Sequence, residues 1–256
     1  MNSDTELCWE KIILDLNLEY YDFSSPRFIK HSQVKEIVSS LTNIANNRKE
    51  IRILGNMIRR RDRPKFFKKE NIFLLPSSNK EWVLLRGDGY FDPEYKDHFY
   101  KSKIIDKAEN FNLETLKGQS EGRYIHQINA DGILGDFIKD DKLIFTLSGR
   151  KYATFAYKAF GHNLKCAGAQ IEIDAGFETK NEVVLIEAKT GEVGSEIIRQ
   201  LYFPYKYVSS ITQKKVRSIF MVVSDDRRSV SLFEYHFNNH TYESIQLLKS
   251  EKYLIA

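Results

Sequence analysis

The chain of 256 residues is 42% hydrophobic, 13% aromatic and 29% charged, with a formal net charge of +4. This balance excludes an intrinsically disordered protein and allows a sizeable core, as one large domain or two small ones. No apolar stretch could span a membrane, and acids stand near the N-terminus where a secretory signal carries basic residues. We therefore expect a cytoplasmic protein without membrane contact. Cys8 and Cys166 lack ligand spacing, which argues against a disulfide framework or structural zinc site.

The N-terminal region is predicted to contain two helices and a hairpin. Apolar residues at helical spacing predict a helix over 32–47 with Ser32 as a possible N-cap, and a second short helix over 49–58. The segments "NIFLLPSS" and "EWVLLRG" predict a β-hairpin around Ser-Ser-Asn. Helix, helix, basic stretch and hairpin is the order of a winged-helix-like DNA-binding module, although other small α+β domains share it.

Positive charge is concentrated in one window, residues 48–69. It holds ten Lys/Arg against Glu50 and Asp62, a net charge of +8. Such a focus on an otherwise mildly acidic chain is typical of a protein that binds a polyanion, and the alternative is a solvated charged surface.

The C-terminal region is predicted to be a mixed α/β (α+β) fold. We place a boundary near 105–115, which divides the chain into regions 1–110 and 111–256. A helix is expected over 120–139, strands over 142–149 and 151–160, and a hairpin over 171–189. A helix over 195–208 that ends at Pro204 and strands over 216–225 and 229–237 follow.

The predicted hairpin over 171–189 places charges at a definite spacing. With a two-residue turn at Lys180-Asn181, the numbers of facing residues sum to 361, so Asp174 faces Glu187 and Glu172 faces Lys189. One face is then wholly apolar, with the odd-numbered residues from Ile171 to Phe177 packed against Val184, Ile186 and Ala188. The other face is polar.

Two facing carboxylates repel each other unless a cation lies between them. Mg²⁺ takes one or two carboxylates and keeps waters, so Asp174, Glu187 and the Ala188 carbonyl are candidate ligands. Lys189 could position the attacking water and stabilise the transition state. The chemistry indicated is metal-assisted phosphodiester hydrolysis. The alternative is a half-exposed hairpin with a Glu172–Lys189 ion pair and no function.

At these residues the chain resembles the PD-(D/E)XK nuclease superfamily. "EID" supplies the first acid, and "IEAK" supplies the E-x-K half, while Ile173 stands where the superfamily usually has proline. "QLYFPY" resembles the Q-x(n)-Y feature of several of these nucleases, at Gln200 and Tyr205. The resemblance implies a restriction-endonuclease-like core, a mixed central sheet flanked by helices, with Glu121 as an additional acid. Alternatively, Glu121 is an ordinary first-turn acid stabilised by the helix dipole.

Within the superfamily the chain looks like a type II restriction endonuclease. That implies site-specific, Mg²⁺-dependent hydrolysis of double-stranded DNA by a homodimer, with a DNA methyltransferase as genetic partner. A nuclease core in 111–256 strengthens the expectation that region 1–110 recognises DNA. Its candidate phosphate and base contacts are Arg59, Arg60, Arg61, Arg63, Lys65 and Lys68.

The same residues are compatible with other functions. A repair or recombination nuclease without a fixed site would use the same chemistry. A non-catalytic DNA-binding regulator would keep the hairpin charges for structure alone. "GQSEG" at 118–122 matches the nucleophile-elbow pattern of serine hydrolases, but the preceding "AENFNLETLK" is too polar for the buried strand that an elbow follows.

Overall fold

A large mixed β-sheet flanked by helices forms the protein, as seen in a computed structural model that describes residues 3–94, 99–100 and 120–255. The helices are α1 (Ser3–Asp15), α2 (His31–Ser39), α3 (Ile51–Leu54), α4 (Lys65–Lys69), α5 (Glu121–Ala130), α6 (Ile133–Ile138) and α7 (Arg199–Ile211). The strands are β1 (Arg27–Lys30), β2 (Ile72–Ser78), β3 (Glu81–Arg86), β4 (Tyr90–Phe91), β5 (Phe99–Tyr100), β6 (Ile144–Ala159), β7 (His162–Glu178), β8 (Glu182–Thr190), β9 (Glu196–Ile197), β10 (Lys215–Val223), β11 (Ser229–Phe237) and β12 (Ile245–Leu254).

The sheet runs in the order β1-β3-β2-β7-β8-β10-β11-β12-β5, and β6 pairs with β7 beside this path. Strands β6, β7 and β8 are successive antiparallel neighbours, while β10 is parallel to β8. Helix α7 makes the connection from β8 to β10, as a parallel pair requires. A separate two-stranded pairing joins β4 to β9.

Alternate residues of β8 belong to two hydrophobic cores on opposite faces of the sheet. Val183 and Leu185 belong to a core that includes Leu201 and Phe203 of α7. On the other face, Val184, Ile186 and Ala188 pack with residues of α5 and α6. The carboxyl end of β8 is therefore fixed from both faces, which matters because Glu187 and Lys189 lie there.

The N-terminal hairpin is part of the same sheet. One face of β2 and β3 packs against the N-terminal helices, through Leu74 and Leu84 among others, in a third core around Trp9. The opposite face, including Phe73 and Leu85, belongs to the core shared with α7. The predicted hairpin is confirmed, and the expected boundary between regions 1–110 and 111–256 falls outside the described residues.

Several predicted elements differ from the observed ones. Helix α2 ends at Ser39 and has Lys30, not Ser32, at its N-cap. The helix expected over 120–139 is interrupted before α6, where Gly132 adopts φ 74°, a conformation that glycine permits. Pro204 lies inside α7, so the helix does not end there. The two strands expected over 142–160 form the single strand β6.

Among the described residues, no helix is long and apolar enough to cross a membrane.

Candidate functional site

The predicted hairpin register is confirmed at the closed end of β7 and β8. The pairs run from Glu178–Val183 to Ala175–Ile186, each summing to 361. Beyond that point the backbone pairing is not continued, and the Asp174 carboxylate takes the place of a backbone acceptor. Its Oδ2 accepts a hydrogen bond from the Ala188 backbone N–H at 2.9 Å. The carboxylate thus holds the two strands where their backbone ladder ends.

The expected single apolar face of β7 is wrong in part. Ala175 and Phe177 pack with α5 and α6, but Ile171 and Ile173 belong to the core of α7 on the opposite side. The cause is a register shift against β6, where Leu147 pairs with Gly176 and Gly149 pairs with Ile173. The additional residue on β7 is a β-bulge, a feature that bends a strand and re-aims its side chains, and Asp174 lies within it.

The expected Glu172–Lys189 facing pair is also not found. Glu172 pairs with Arg150 of β6, and the Arg150 Nε to Glu172 Oε1 distance is 3.8 Å. Lys189 instead donates to Glu187 Oε1, and to the Ala188 carbonyl at 3.2 Å. This difference frees Lys189 from a surface ion pair and places its ammonium beside the buried acid.

Glu187 is the centre of a hydrogen-bonded cluster. Only 7% of the Glu187 surface is exposed to solvent. Besides the contact with Lys189, its Oε1 accepts a hydrogen bond from Gln200 Nε2 at 2.6 Å. Gln200 comes from the first turn of α7, so that helix fixes the orientation of the carboxylate.

Glu121 reaches the cluster from the first turn of α5. The Ser120 Oγ caps this helix by accepting from the Arg123 N–H at 3.3 Å. The Glu121 carboxylate interacts electrostatically with Lys189 and Asp174. Burial raises the pKa of Glu121, and Asp174 adds to the rise. The structure thus brings together Asp174, Glu187, Lys189, Gln200 and Glu121.

These five side chains line an open cleft with a volume of about 450 Å³. Asn56, Ile58 and Arg199 also line it and were missed by the sequence reasoning. Arg199 directly precedes Gln200, and this adjacency was the signal that could have found it. Tyr205 is not among the lining residues, and its hydroxyl pairs with His240 Nδ1 at 2.6 Å.

The donor atoms at the cleft fit a hard divalent cation. Asp174 and Glu187 offer carboxylate oxygens, and Ala188 offers its carbonyl. Lys189 already contacts two of these three residues through Glu187 Oε1 and the Ala188 oxygen, so positive charge is favoured there. Within the described ranges, no group of three His, Cys, Asp or Glu side chains is arranged to hold a metal. A Mg²⁺ ion would therefore need the carbonyl and waters as ligands.

Part of the positive charge in the basic window is paired with acids of the same chain. Arg60 pairs with both Asp88 and Asp92 at 2.9 Å. Arg59 lies 3.4 Å from Glu196, an acid that is only 1% exposed. These contacts tie the window to the segments around β4 and β9.

The other basic candidates differ in exposure. Arg63 is buried and donates to the Ile72 carbonyl at 3.2 Å, and burial lowers the pKa of its guanidinium. Arg61, Lys65 and Lys68 are exposed. DNA contact by the window remains a prediction, and the exposed three have the charge available for it.

The protonation of Glu187 gives a testable pH dependence. Burial, reinforced by Asp174 and opposed by Lys189, raises the pKa of Glu187 from 4.5 to about 8. Between these values the folded state keeps a proton that the unfolded state has lost, so this group contributes stability that is lost as pH rises. As pH rises from about 5 to about 8 in the absence of metal, the unfolding free energy of the wild type should fall by about 1–3 kcal/mol more than that of Glu187→Gln.

Urea unfolding at several pH values, with a chelator present, measures this difference. Glu172→Gln is the matched control, since its carboxylate lies on the neighbouring strand β7 and is exposed. Parallel stability curves for wild type and Glu187→Gln would show that the carboxyl is ionised in the folded protein.

Comparisons with known proteins add a family but no activity. Residues 85–254 match the family model described as "Domain of unknown function (DUF6997)". No curated protein matches the chain. A solved structure titled "Crystal structure of SSO0001" is 12% identical, over 56% of this chain and 69% of that chain, with a TM-score of 0.24. A TM-score of this size carries no argument about fold or function.

Proposed function

We propose that this chain, which belongs to the DUF6997 family, is a Mg²⁺-dependent nuclease that hydrolyses phosphodiester bonds of double-stranded DNA. The observation that carries the proposal is the convergence of Asp174, Glu187 and Lys189 in one open cleft. A buried acid beside a second carboxylate destabilises the folded protein. Such a pair is therefore more typical of a site that binds a cation than of a purely structural feature.

The fold supports assignment to the PD-(D/E)XK superfamily. The acids lie on the antiparallel pair β7–β8, and the next helix, α7, holds Glu187 through Gln200. A helix ahead of these strands, α5, contributes Glu121. The large mixed sheet flanked by helices is the coarse form of the core that this superfamily implies.

The side chains of the cleft have different roles in the proposed reaction. Asp174, Glu187 and the Ala188 carbonyl would hold Mg²⁺, which would neutralise the charge that develops on the phosphate. Lys189 orients the attacking water and stabilises the negative transition state. Gln200 keeps the Glu187 carboxylate in place, and Glu121 adds a further acid beside Lys189 and Asp174.

The finer form of the proposal is a type II restriction endonuclease that acts as a homodimer, with a DNA methyltransferase as genetic partner. The basic surface formed by Arg61, Lys65 and Lys68 is close in sequence to Asn56 and Ile58, which line the cleft. Region 1–110 thus contributes part of the wall of the cleft and carries exposed positive charge, which supports DNA recognition by this region.

Incubation of the purified protein with phage DNA tests both levels of the proposal. We expect cleavage with Mg²⁺ that EDTA abolishes. Discrete fragments would support restriction, whereas a smear would favour a nuclease without a fixed site. Intact DNA across a range of Mg²⁺ and Mn²⁺ concentrations, with the protein shown to be folded, would contradict the nuclease proposal.

A further inference from the structure

A second cavity lies at the junction of α2 with the turn between β2 and β3. Its volume is about 520 Å³, and Lys30, Lys35 and Lys80 line it together with a single acid, Glu81. All three lysines are exposed. We call this feature the lysine cavity.

The charge of the lysine cavity is not neutralised by the protein. Among the residues that the structure describes, no carboxylate lies within ion-pair distance of the three ammonium groups. The Glu81 carboxylate is instead held by the Ser77 hydroxyl at 2.8 Å. This contrasts with Arg59 and Arg60, which form ion pairs with Glu196 and Asp88. The lysine cavity therefore offers uncommitted positive charge.

The walls of the lysine cavity are held in place by strand pairing. Lys30 and Glu81 are paired residues of β1 and β3. The backbone N–H of His31 donates to the Lys80 carbonyl at 2.8 Å, and the His31 ring packs on Trp82 with centroids 4.6 Å apart. A rigid frame keeps the three lysines together, which lowers the entropic cost of binding an anion.

The lysine cavity adjoins the catalytic cleft. Asn79, which lines the cavity, accepts a hydrogen bond from the Gln170 backbone N–H at 2.9 Å. Gln170 lines the catalytic cleft on its other side. The hydrogen-bonded pair Asn79–Gln170 thus forms one ridge between the two concave surfaces.

We propose that the lysine cavity binds the phosphodiester backbone of the substrate DNA beyond the scissile bond. This inference rests on the proposed nuclease function and names the surface along which its substrate runs. A strand in the catalytic cleft that crosses the Asn79–Gln170 ridge meets three ammonium groups, which recognise phosphates as point charges. The contact is independent of sequence and supplies affinity, whereas the cleft supplies the chemistry.

The test is DNA affinity as a function of salt, measured by fluorescence anisotropy with EDTA present so that no hydrolysis occurs. The variant replaces Lys30, Lys35 and Lys80 by glutamine. Its log–log salt slope should fall by about two to three, and its affinity near 0.1 M salt by about a hundredfold. A triple variant with three lysines distant from the ridge serves as the matched control: Lys142→Gln, Lys180→Gln and Lys252→Gln.

Three results separate the possibilities. Equal losses in both triple variants, or none in the first, would overturn the lysine cavity as a DNA surface. The proposal would also be overturned if the lysine variant no longer bound inorganic phosphate but kept its affinity for DNA. The ligand of the lysine cavity would then be a small anion. If the lysine variant loses DNA affinity while the wild type cleaves nothing with Mg²⁺, the DNA surface stands and the nuclease proposal fails.

Discussion

Replacing Asp174 by asparagine is expected to lower the rate of metal-dependent DNA cleavage by about 10²–10³-fold. Asparagine keeps an oxygen that can accept the Ala188 N–H, so the junction of β7 and β8 should survive. What is lost is the negative charge that binds the cation. The variant therefore separates metal binding from structure at a single position.

Single-turnover cleavage at several Mg²⁺ concentrations measures the effect, with thermal unfolding as a check on the fold. Glu172→Gln is the control, because Glu172 lines the same cleft but pairs with Arg150. It should change the rate by less than about tenfold, as expected for a group outside the metal site. An Asp174→Asn protein that cleaves at the wild-type rate would remove Asp174 from the chemistry.

Replacing Arg217 by alanine is expected to destabilise the protein by about 3–5 kcal/mol. Its Nε and Nη2 donate to both oxygens of Glu234 at 2.7 and 2.8 Å, and its Nη1 donates to Glu182 at 2.9 Å and to the Ile138 carbonyl at 3.0 Å. The side chains of Arg217 and Glu234 are only 10% and 7% exposed. Removal of the guanidinium leaves a buried carboxylate without its cation.

Urea unfolding of the purified variant gives the free energy directly. Arg150→Ala is the matched control, because the Arg150–Glu172 pair is 68% and 62% exposed and such pairs contribute about 0–1 kcal/mol. If both arginine variants lose the same stability, the buried network does not hold β8, β10, β11 and α6 together as its geometry indicates.

The sequence was sufficient to predict the closed end of the β7–β8 hairpin, because its signals are local. Alternation of apolar residues and a two-residue turn determine the pairs from Glu178–Val183 to Ala175–Ile186. The bulge at Asp174 could not be predicted in the same way. It depends on the pairing of β7 with β6, and no pattern within residues 171–189 encodes that register shift.

The pairing of arginines in the basic window with distant acids could also not be predicted from the sequence. Arg60 lies 28 and 32 residues before its partners Asp88 and Asp92. Arg63 is buried and donates to the Ile72 carbonyl, so a count of charges overestimates the free positive surface. Conversely, Lys80 is far in sequence from Lys30 and Lys35, and only pairing of β1 with β3 brings it beside them.

The junction between the N-terminal hairpin and β7 has a consequence for how the chain folds. Gln170 and Asn79, which meet across it, are 91 residues apart in sequence. During synthesis the hairpin emerges long before β7 and α7, so its apolar face, including Phe73 and Leu85, stays uncovered until their shared core forms. Closure of so long a loop is slow, and contacts of this separation lower folding rates. The protein should therefore be most prone to aggregation while only its first half has left the ribosome.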